Sequence, residues 1–347
     1  MRCIDSLRGV RGVLAAWALV AALGTMGAGA EAASGKIVVY AALDEKVITE
    51  VARAFKADKG VDAELLTIAA AGTLATRLKG EKASPKADIF VGGSVDFHAP
   101  LATEGLLMPY KSPVLAESKI DPRFVDPDGH WYGWYLGALS IIVNKDRFQK
   151  DIASKGLAMP KTWDDLLNPA YKGHFTMPSP ITTGGGYIFV ATQVFRLGED
   201  KAFDYLKKLA ANAGQITPTA PLPIQMTARG EAVVAMNWGH DALVSKGQGF
   251  PLEVIFPPDT GFEIGGVSIV KGGPNPDGAK AFIDFLLSKT PQEINAKFGL
   301  RYPTRPDAAP PAGVQAFNTL KFVKYDRDWA TQNKDRLQKK WQAEVQK

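Results

Sequence analysis

Two long strand-like segments constrain this chain more than any other feature. They are residues 134–144 (WYLGALSIIVN) and 262–270, which runs on into GGVSIV. A complete α/β block of its own lies between them. A chain that leaves one unit on a strand, builds a second unit and returns on another strand makes two lobes. Nothing Gly/Ser-rich separates the units, so the crossings read as strand-like hinges and not as floppy linkers. The length, 347 residues, independently asks for about two domains. A cleft then lies between the lobes, at the carboxyl ends of parallel strands, where ligands of open α/β sheets bind.

The rest of the chain alternates strands and helices. Residues 36–41 (KIVVYA) are short and β-branched, a buried strand. Asp44 opens a helix to Lys56 with Val47, Val51 and Phe55 on one face. Strands follow at 62–68 and 87–91, with helices at 73–79 and after Gly92-Gly93-Ser94. In the second block, Thr162 caps a short helix with Asp165 as the returning acid. Then come a strand at 174–177, helices at 182–197 and 201–211, and strands at 231–237 and 251–256. A helix at 277–287, a proline-rich stretch at 303–311 and a charged helix at 334–346 close the chain. The reading is α/β, each lobe a mostly parallel sheet flanked by helices.

The first thirty-odd residues read as an export signal. Arg2, Arg8 and Arg11 precede an apolar run at 13–24, and small residues offer cleavage near Ala30 or Ala32. The run falls short of the ~20 residues of a membrane helix, which weighs against an anchor. The single cysteine, Cys3, would be lost, leaving neither a disulfide nor a cysteine-based zinc site. A net charge of +5 with no Lys/Arg-rich run gives no nucleic-acid footprint. The expected location is the periplasm. The expected boundaries are 1–32 signal, 33–138 with 265–310 lobe I, 139–264 lobe II, and 311–347 a helical tail packed on the lobes.

Residues just after strands and at helix starts would face the cleft. They are Ala71-Gly72-Thr73, Gly92-Gly93-Ser94, Thr182-Thr183-Gly184-Gly185 and Trp238-Gly239-His240-Asp241. Helix dipoles and free N–H groups at the first three favour an anion. Taken singly, each is an ordinary helix cap. Three converging from both lobes are harder to dismiss. No Walker A loop, dinucleotide fingerprint, G-x-S-x-G elbow or HExxH is present. A hydrolase would need a nucleophile–base pair or metal cluster, and the motifs supply neither. His240 and Asp241 would share a site only in a loop, since neighbours on a strand point apart. The aromatic cluster at 130–135 reads as core or interlobe packing, and Glu263 as an interdomain ion pair or a ligand contact.

The phrases ADIFVGGSVDFHAPLATEGLL (87–107), YGWYLGALSIIVNKDRF (132–148), TWDDLLNPAYKGHFTMPSP (162–180), RGEAVVAMNWGHDA (229–242) and YPTRPD (302–307) occur in order. Together they resemble the periplasmic substrate-binding proteins of ABC importers, in the branch with ferric-iron, phosphonate and sugar-phosphate binders. The resemblance spans about residues 36–307. It implies a type II two-lobed fold closing on a small solute, no catalysis, no cofactor, a monomer, and delivery to an inner-membrane permease with its ATPase. Ferric binders of this branch carry a histidine after the first strand, an acid after the third, and paired tyrosines late in the second lobe. Here those positions read Ala41-Ala42-Leu43-Asp44, Gly92-Gly93-Ser94 and Trp238-Gly239. Without phenolates, hard Fe(III) has little to hold it, so iron ranks second.

Carried over from the sugar-phosphate and phosphonate binders, Thr73, Ser94, Thr182, Thr183 and Gly184 would take an oxyanion. His240, Asp241 and Glu263 would take hydroxyl or ammonium groups, with Trp238 beside them. The expected ligand is a phosphorylated or phosphonate solute, zwitterionic or polyol. An organic carboxylate, a polyamine, a secreted hydrolase and a chemoreceptor adaptor are the other readings.

Overall fold

Asp44 shows how local chemistry sets the first βα unit. Its carboxylate accepts from the Lys46 and Val47 N–H groups, so β1 (Lys36–Ala42) passes directly into α1 (Glu45–Lys59). Gly60 ends that helix at φ 72°, a left-handed conformation that suits glycine. β2 (Asp62–Thr67), α2 (Ala71–Gly80), β3 (Ile89–Ser94), α3 (His98–Thr103), β4 (Leu107–Met108) and α4 (Leu115–Ser118) complete the first run. The computed structural model describes residues 35–346. The export segment, with Cys3 and the cleavage options at Ala30 and Ala32, lies outside them.

The long strand β5 (Tyr132–Asn144) comes next, followed by α5 (Lys145–Asp151). The second block holds β6 (Phe175–Pro178), α6 (Gly184–Leu197), α7 (Glu199–Asn212), β7 (Ala213–Thr217), α8 (Pro221–Ala228), β8 (Val234–Trp238), α9 (Gly239–Gly247) and β9 (Leu252–Ile255). The chain returns on β10 (Phe262–Val270) and ends with α10 (Pro276–Leu286), α11 (Lys289–Gly299), β11 (Tyr302–Pro303) and α12 (Arg327–Glu344).

The strands join in the order β2-β1-β3-β10-β5-β8-β6-β7, with β4 on β10 and with β9 and β11 on β5. β5 changes partners halfway. Its residues Tyr132 to Ala138 pair with β10 and β11, and Leu139 to Asn144 pair with β8 and β9. The outer strands β1, β2 and β3 are parallel, as are β6, β7 and β8. β5 and β10 run antiparallel to their neighbours, so the sheet is mixed, because a crossing strand and its return must oppose each other. The return crossing falls at Thr260–Gly261, where Leu139 N donates to Gly261 O at 3.0 Å. Glu263 and Ile264 already pair with Gly137 and Leu136, a few residues before the expected change at 264/265.

Each lobe has its own core. Val39, Phe55, Trp134 and Phe282 anchor the first, with Phe55 edge-on to Phe282 at 4.9 Å. Ile141, Trp163, Phe189 and Leu206 anchor the second, joined by Trp341 of α12. Each such side chain contributes about 1.5–3 kcal/mol by leaving water. Gly92, Gly93 and Ser94 end β3, and Ser94 Oγ accepts from Asp96 N to cap a 3-10 turn, Val95–Phe97, that runs directly into α3, so this stretch does lead into a helix as expected. Thr162 and Asp165 do form the reciprocal cap, over a 3-10 turn, Asp164–Leu167.

Candidate functional site

Five helices begin around one cleft of about 400 Å³. Asp44 brings α1, Ala70 and Ala71 bring α2, Thr183 and Gly184 bring α6, Ala220 and Pro221 bring α8, and Trp238 brings α9. Three of these starts, at α2, α8 and α9, have no side-chain cap. The N–H groups opening α9 keep hydrogen-bonding capacity, whereas Gly72 N of α2 and Ala220 N before α8 already donate to Thr182 O and Ala69 O, and α8 opens with Pro221 and Pro223, which have no N–H. The dipoles of all three point at the same space.

The hydroxyls that the sequence put forward are otherwise engaged. Thr183 Oγ1 donates to Ser179 O at 2.7 Å and accepts from Gly186 N, capping its own helix. Thr182 Oγ1 donates to Pro218 O at 2.7 Å. Ser94 is buried, with its Oγ donating to Asp96 Oδ2 at 2.5 Å. Thr73 is exposed on α2 and does not line the cleft. Of the nine expected residues, Thr183, Gly184, Trp238, Asp241 and Glu263 line it. Thr73, Ser94, Thr182 and His240 do not.

His240 and Asp241 lie in the first turn of α9, and not in a loop. Successive helical residues diverge, so Asp241 faces the cleft with 27% of its side chain exposed while His240 is enclosed behind it. Gly137 makes room there, since a Cβ would lie 2.5 Å from the imidazole and 3.1 Å from Glu263 Oε1. His240 Nε2 is 3.4 Å from Asp241 Oδ1 and 4.0 Å from Glu263 Oε1. Neither ring nitrogen has a hydrogen-bond partner among the described residues. Burial, with Arg301 adding to it, holds the imidazole well below its ordinary pKa, so it is neutral. Trp238 stacks on it at 6.0 Å and 13°, serving both the second core and the cleft wall.

Two residues on this wall escaped the sequence reading. Arg301 follows α11, and its Nη2 donates to Asp241 Oδ1 at 2.8 Å. Its guanidinium lies 5.2 Å over the Tyr135 ring. Tyr135 belongs to the aromatic run at 130–135 that reads as packing in the sequence. It lines the cleft because Gly265 has no side chain, as a Cβ there would sit 2.0 Å from the Tyr135 ring. Burial raises the Glu263 carboxyl to about 8, outweighing Arg301, which lowers it. Burial likewise raises Asp241, with Arg301 opposing. The helix starts thus meet a compact Asp–Glu–Arg–Tyr group, whose Asp241 itself stands in the first turn of α9.

Two backbone hydrogen bonds join the lobes at the rim. Gly72 N donates to Thr182 O at 3.3 Å, and Ala220 N donates to Ala69 O at 3.4 Å.

Comparison with known proteins agrees with this architecture. The profile of the family described as bacterial extracellular solute-binding protein matches residues 84–329. An uncharacterized protein of Haemophilus influenzae is 36% identical over 338 residues, covering 94% of this chain and 95% of the relative. The periplasmic binding protein AfuA from Actinobacillus pleuropneumoniae, solved with exogenous fructose 6-phosphate bound, is 34% identical. It superposes with a TM-score of 0.85 over 90% of this chain and 99% of its own. The periplasmic binding protein P5PA is 32% identical, with a TM-score of 0.84 over 90% of this chain and 100% of its own. These are two-lobed type II binding proteins, and no described helix here is long and apolar enough to cross a membrane. The chain belongs to the bacterial extracellular solute-binding proteins, as a periplasmic solute-binding protein of an ABC importer.

Proposed function

We propose that the protein captures a small phosphorylated or phosphonate solute between its lobes and hands it to an ABC permease. The observation that carries this reading is the convergence of uncapped helix starts, from α2 in one lobe and α8 and α9 in the other, on one cleft. Such starts favour an oxyanion without needing a cationic side chain. The Thr183–Gly184 start of α6 adds its dipole, although its threonine hydroxyl is already engaged. The oxyanion is therefore held by backbone N–H groups more than by the hydroxyls of Thr73, Ser94, Thr182 and Thr183. The rest of the ligand meets Asp241, Glu263 and Trp238, with His240 supporting them from behind. The relative that is 34% identical was solved with a sugar phosphate, which fits the same chemistry.

Closure turns on the two crossings, Ala138–Leu139 and Thr260–Gly261, where β5 changes partners and the chain returns. Ferric iron is the weaker alternative, because Trp238 and Gly239 stand where ferric binders of the branch carry phenolates.

The test is a thermal-shift and calorimetric panel on residues 33–347. It holds fructose 6-phosphate, glycerol phosphate, 2-aminoethylphosphonate, citrate, putrescine and ferric citrate. A phospho-compound at a hundredfold excess over its Kd should stabilise the fold by about 2.7 kcal/mol. Stabilisation by ferric iron, citrate or putrescine alone would overturn the reading.

A further inference from the structure

We propose that Arg301 is a built-in counter-cation that sets the chemistry of the ligand's far end, so that the cleft takes neutral hydroxyls and rejects ammonium groups. The proposal rests on the phospho-ligand reading above and goes beyond it, because the sequence left amine and polyol ligands level.

Arg301 is placed with unusual care. Leu300 ends α11 at φ 51°, a left-handed conformation that costs a non-glycine residue energy, and this turns the next side chain into the cleft. Gly299 clears the way, because a Cβ there would lie 2.4 Å from Arg301 Nη1. Tyr135 supports one face of the guanidinium. The side chain is only 5% exposed, yet it lines the cleft. Nη2 meets Asp241, while Nε and Nη1 have no hydrogen-bond partner among the described residues. A buried guanidinium holding two unused donors beside a ligand cleft is a binding group, since unpaired buried donors are costly.

An incoming ammonium group brings only donors, which Arg301 cannot use, and it meets a like charge at short range. It would also compete for Asp241, which already has a cation. A hydroxyl does both jobs, accepting from Nε or Nη1 and donating to Asp241 or Glu263. The fitting ligand class is therefore a phosphorylated polyol, and an aminoalkyl phosphonate fits less well.

The experiment compares 2-hydroxyethylphosphonate with 2-aminoethylphosphonate, a pair differing only in the far group, by calorimetry on residues 33–347. The wild-type protein should bind the hydroxyl compound more tightly. Arg301→Met should shift the affinity ratio toward the amine by about tenfold or more, as removal of a close like charge requires. A wild-type preference for the amine, or an unchanged ratio in a folded Arg301→Met, overturns the proposal. If Arg301→Met does not fold, Asp241→Asn decides the matter. It leaves the guanidinium charge unopposed and should move the ratio further toward the hydroxyl, and an unmoved ratio again overturns the proposal. Failure of the phospho-ligand reading looks different. In that case neither phosphonate, nor fructose 6-phosphate, nor inorganic phosphate binds the wild-type protein, and both ideas fall together.

Discussion

Glu263 is the residue whose charge state matters most to the cleft. Burial raises its carboxyl from the ordinary 4.5 to about 8, even with Arg301 close by. At pH 7 it is mainly a neutral acid able to donate a hydrogen bond. As pH climbs through about 8 it gains a negative charge beside an anionic ligand. Affinity for fructose 6-phosphate should therefore weaken between pH 7 and 9, and Glu263→Gln should flatten that profile, both readable by calorimetry across the range. The linked effect on stability has the same direction. A folded pKa above the unfolded one gives stabilisation that is complete below about 4.5 and lost as pH rises through about 8. The melting temperature of the wild-type protein should thus fall more steeply than that of Glu263→Gln between about pH 4.5 and 8 and run parallel to it above that. Asp241 and Glu263 could be picked from the sequence because they follow or occupy strands at the crossings. Arg301 could not, because it follows a helix, and tertiary packing of α11 on α1 and α9 with the pairing of β11 on β5 brings that stretch to the cleft. Tyr135 sits in an aromatic run that reads as packing, and its role depends on Gly265, its register partner on β10, which is far from it in sequence.

Among the elements, α12 departs most from its sequence pattern. It buries Ala330, Lys334, Leu337 and Trp341, a stripe at spacings of four, three and four. A lysine at the second position hides that stripe, so only a charged helix from 334 is legible in the sequence, whereas the helix begins at Arg327. The lysine is inward because Asp96 and Phe97 receive it. Lys334 Nζ donates to Asp96 O at 3.2 Å and lies 3.3 Å from the Phe97 ring centroid. Arg327 and Thr331 reach the Asp96 carboxylate, at 3.2 Å each. Farther along, Gln338 donates to Pro180 O at 2.7 Å, and Arg336 and Lys340 hold Glu199. The helix thus bonds to both lobes. Asp96 is fully buried, so Asp96→Ala would strand Arg327 and remove two further bonds. The expected cost is about 3–5 kcal/mol, measured by urea denaturation. Arg327→Ala should cost at least as much, because it leaves the fully buried Asp96 carboxylate with only the Ser94 and Thr331 hydroxyls among the described residues, whereas Arg327 itself keeps partial access to water. β7, α8 and α11 escaped the sequence reading for a shared reason. β7 is an edge strand with little apolar content, α8 carries two prolines, and α11 is dominated by polar residues, so tertiary packing and not periodicity defines them.

For the whole molecule, the two-lobed plan was legible because its signal is long-range and redundant. Two long strands, a complete block between them and repeated βα winding all point the same way. Closure itself depends on contacts that no local pattern encodes. Gly72 N meets Thr182 O, and a Cβ on Gly72 would lie 3.0 Å from that same oxygen, 3.2 Å from Ile181 O and 3.0 Å from the buried Phe97 ring of its own lobe. Both oxygens belong to the backbone leading into α6, so they cannot yield independently of their lobe. The position tests the closing motion once the ligand-free melting temperature shows that the Phe97 ring has given way. Gly72 lies within α2, where alanine is favoured over glycine by about 1 kcal/mol. With the Phe97 contact offsetting that gain, Gly72→Ala should leave the ligand-free melting temperature close to the wild-type value, while weakening ligand binding by holding the lobes slightly apart. Gly72→Val should weaken binding further, through greater bulk at the same contact. Calorimetry with fructose 6-phosphate and small-angle scattering with and without it would read the two effects. Unweakened binding in both variants would mean that the lobes meet the ligand without coming together at this rim. Weaker binding with a smaller ligand-induced compaction would identify the Gly72–Thr182 contact as part of the closed state, and hinge bending about the β5 and β10 crossings as the motion that reaches it.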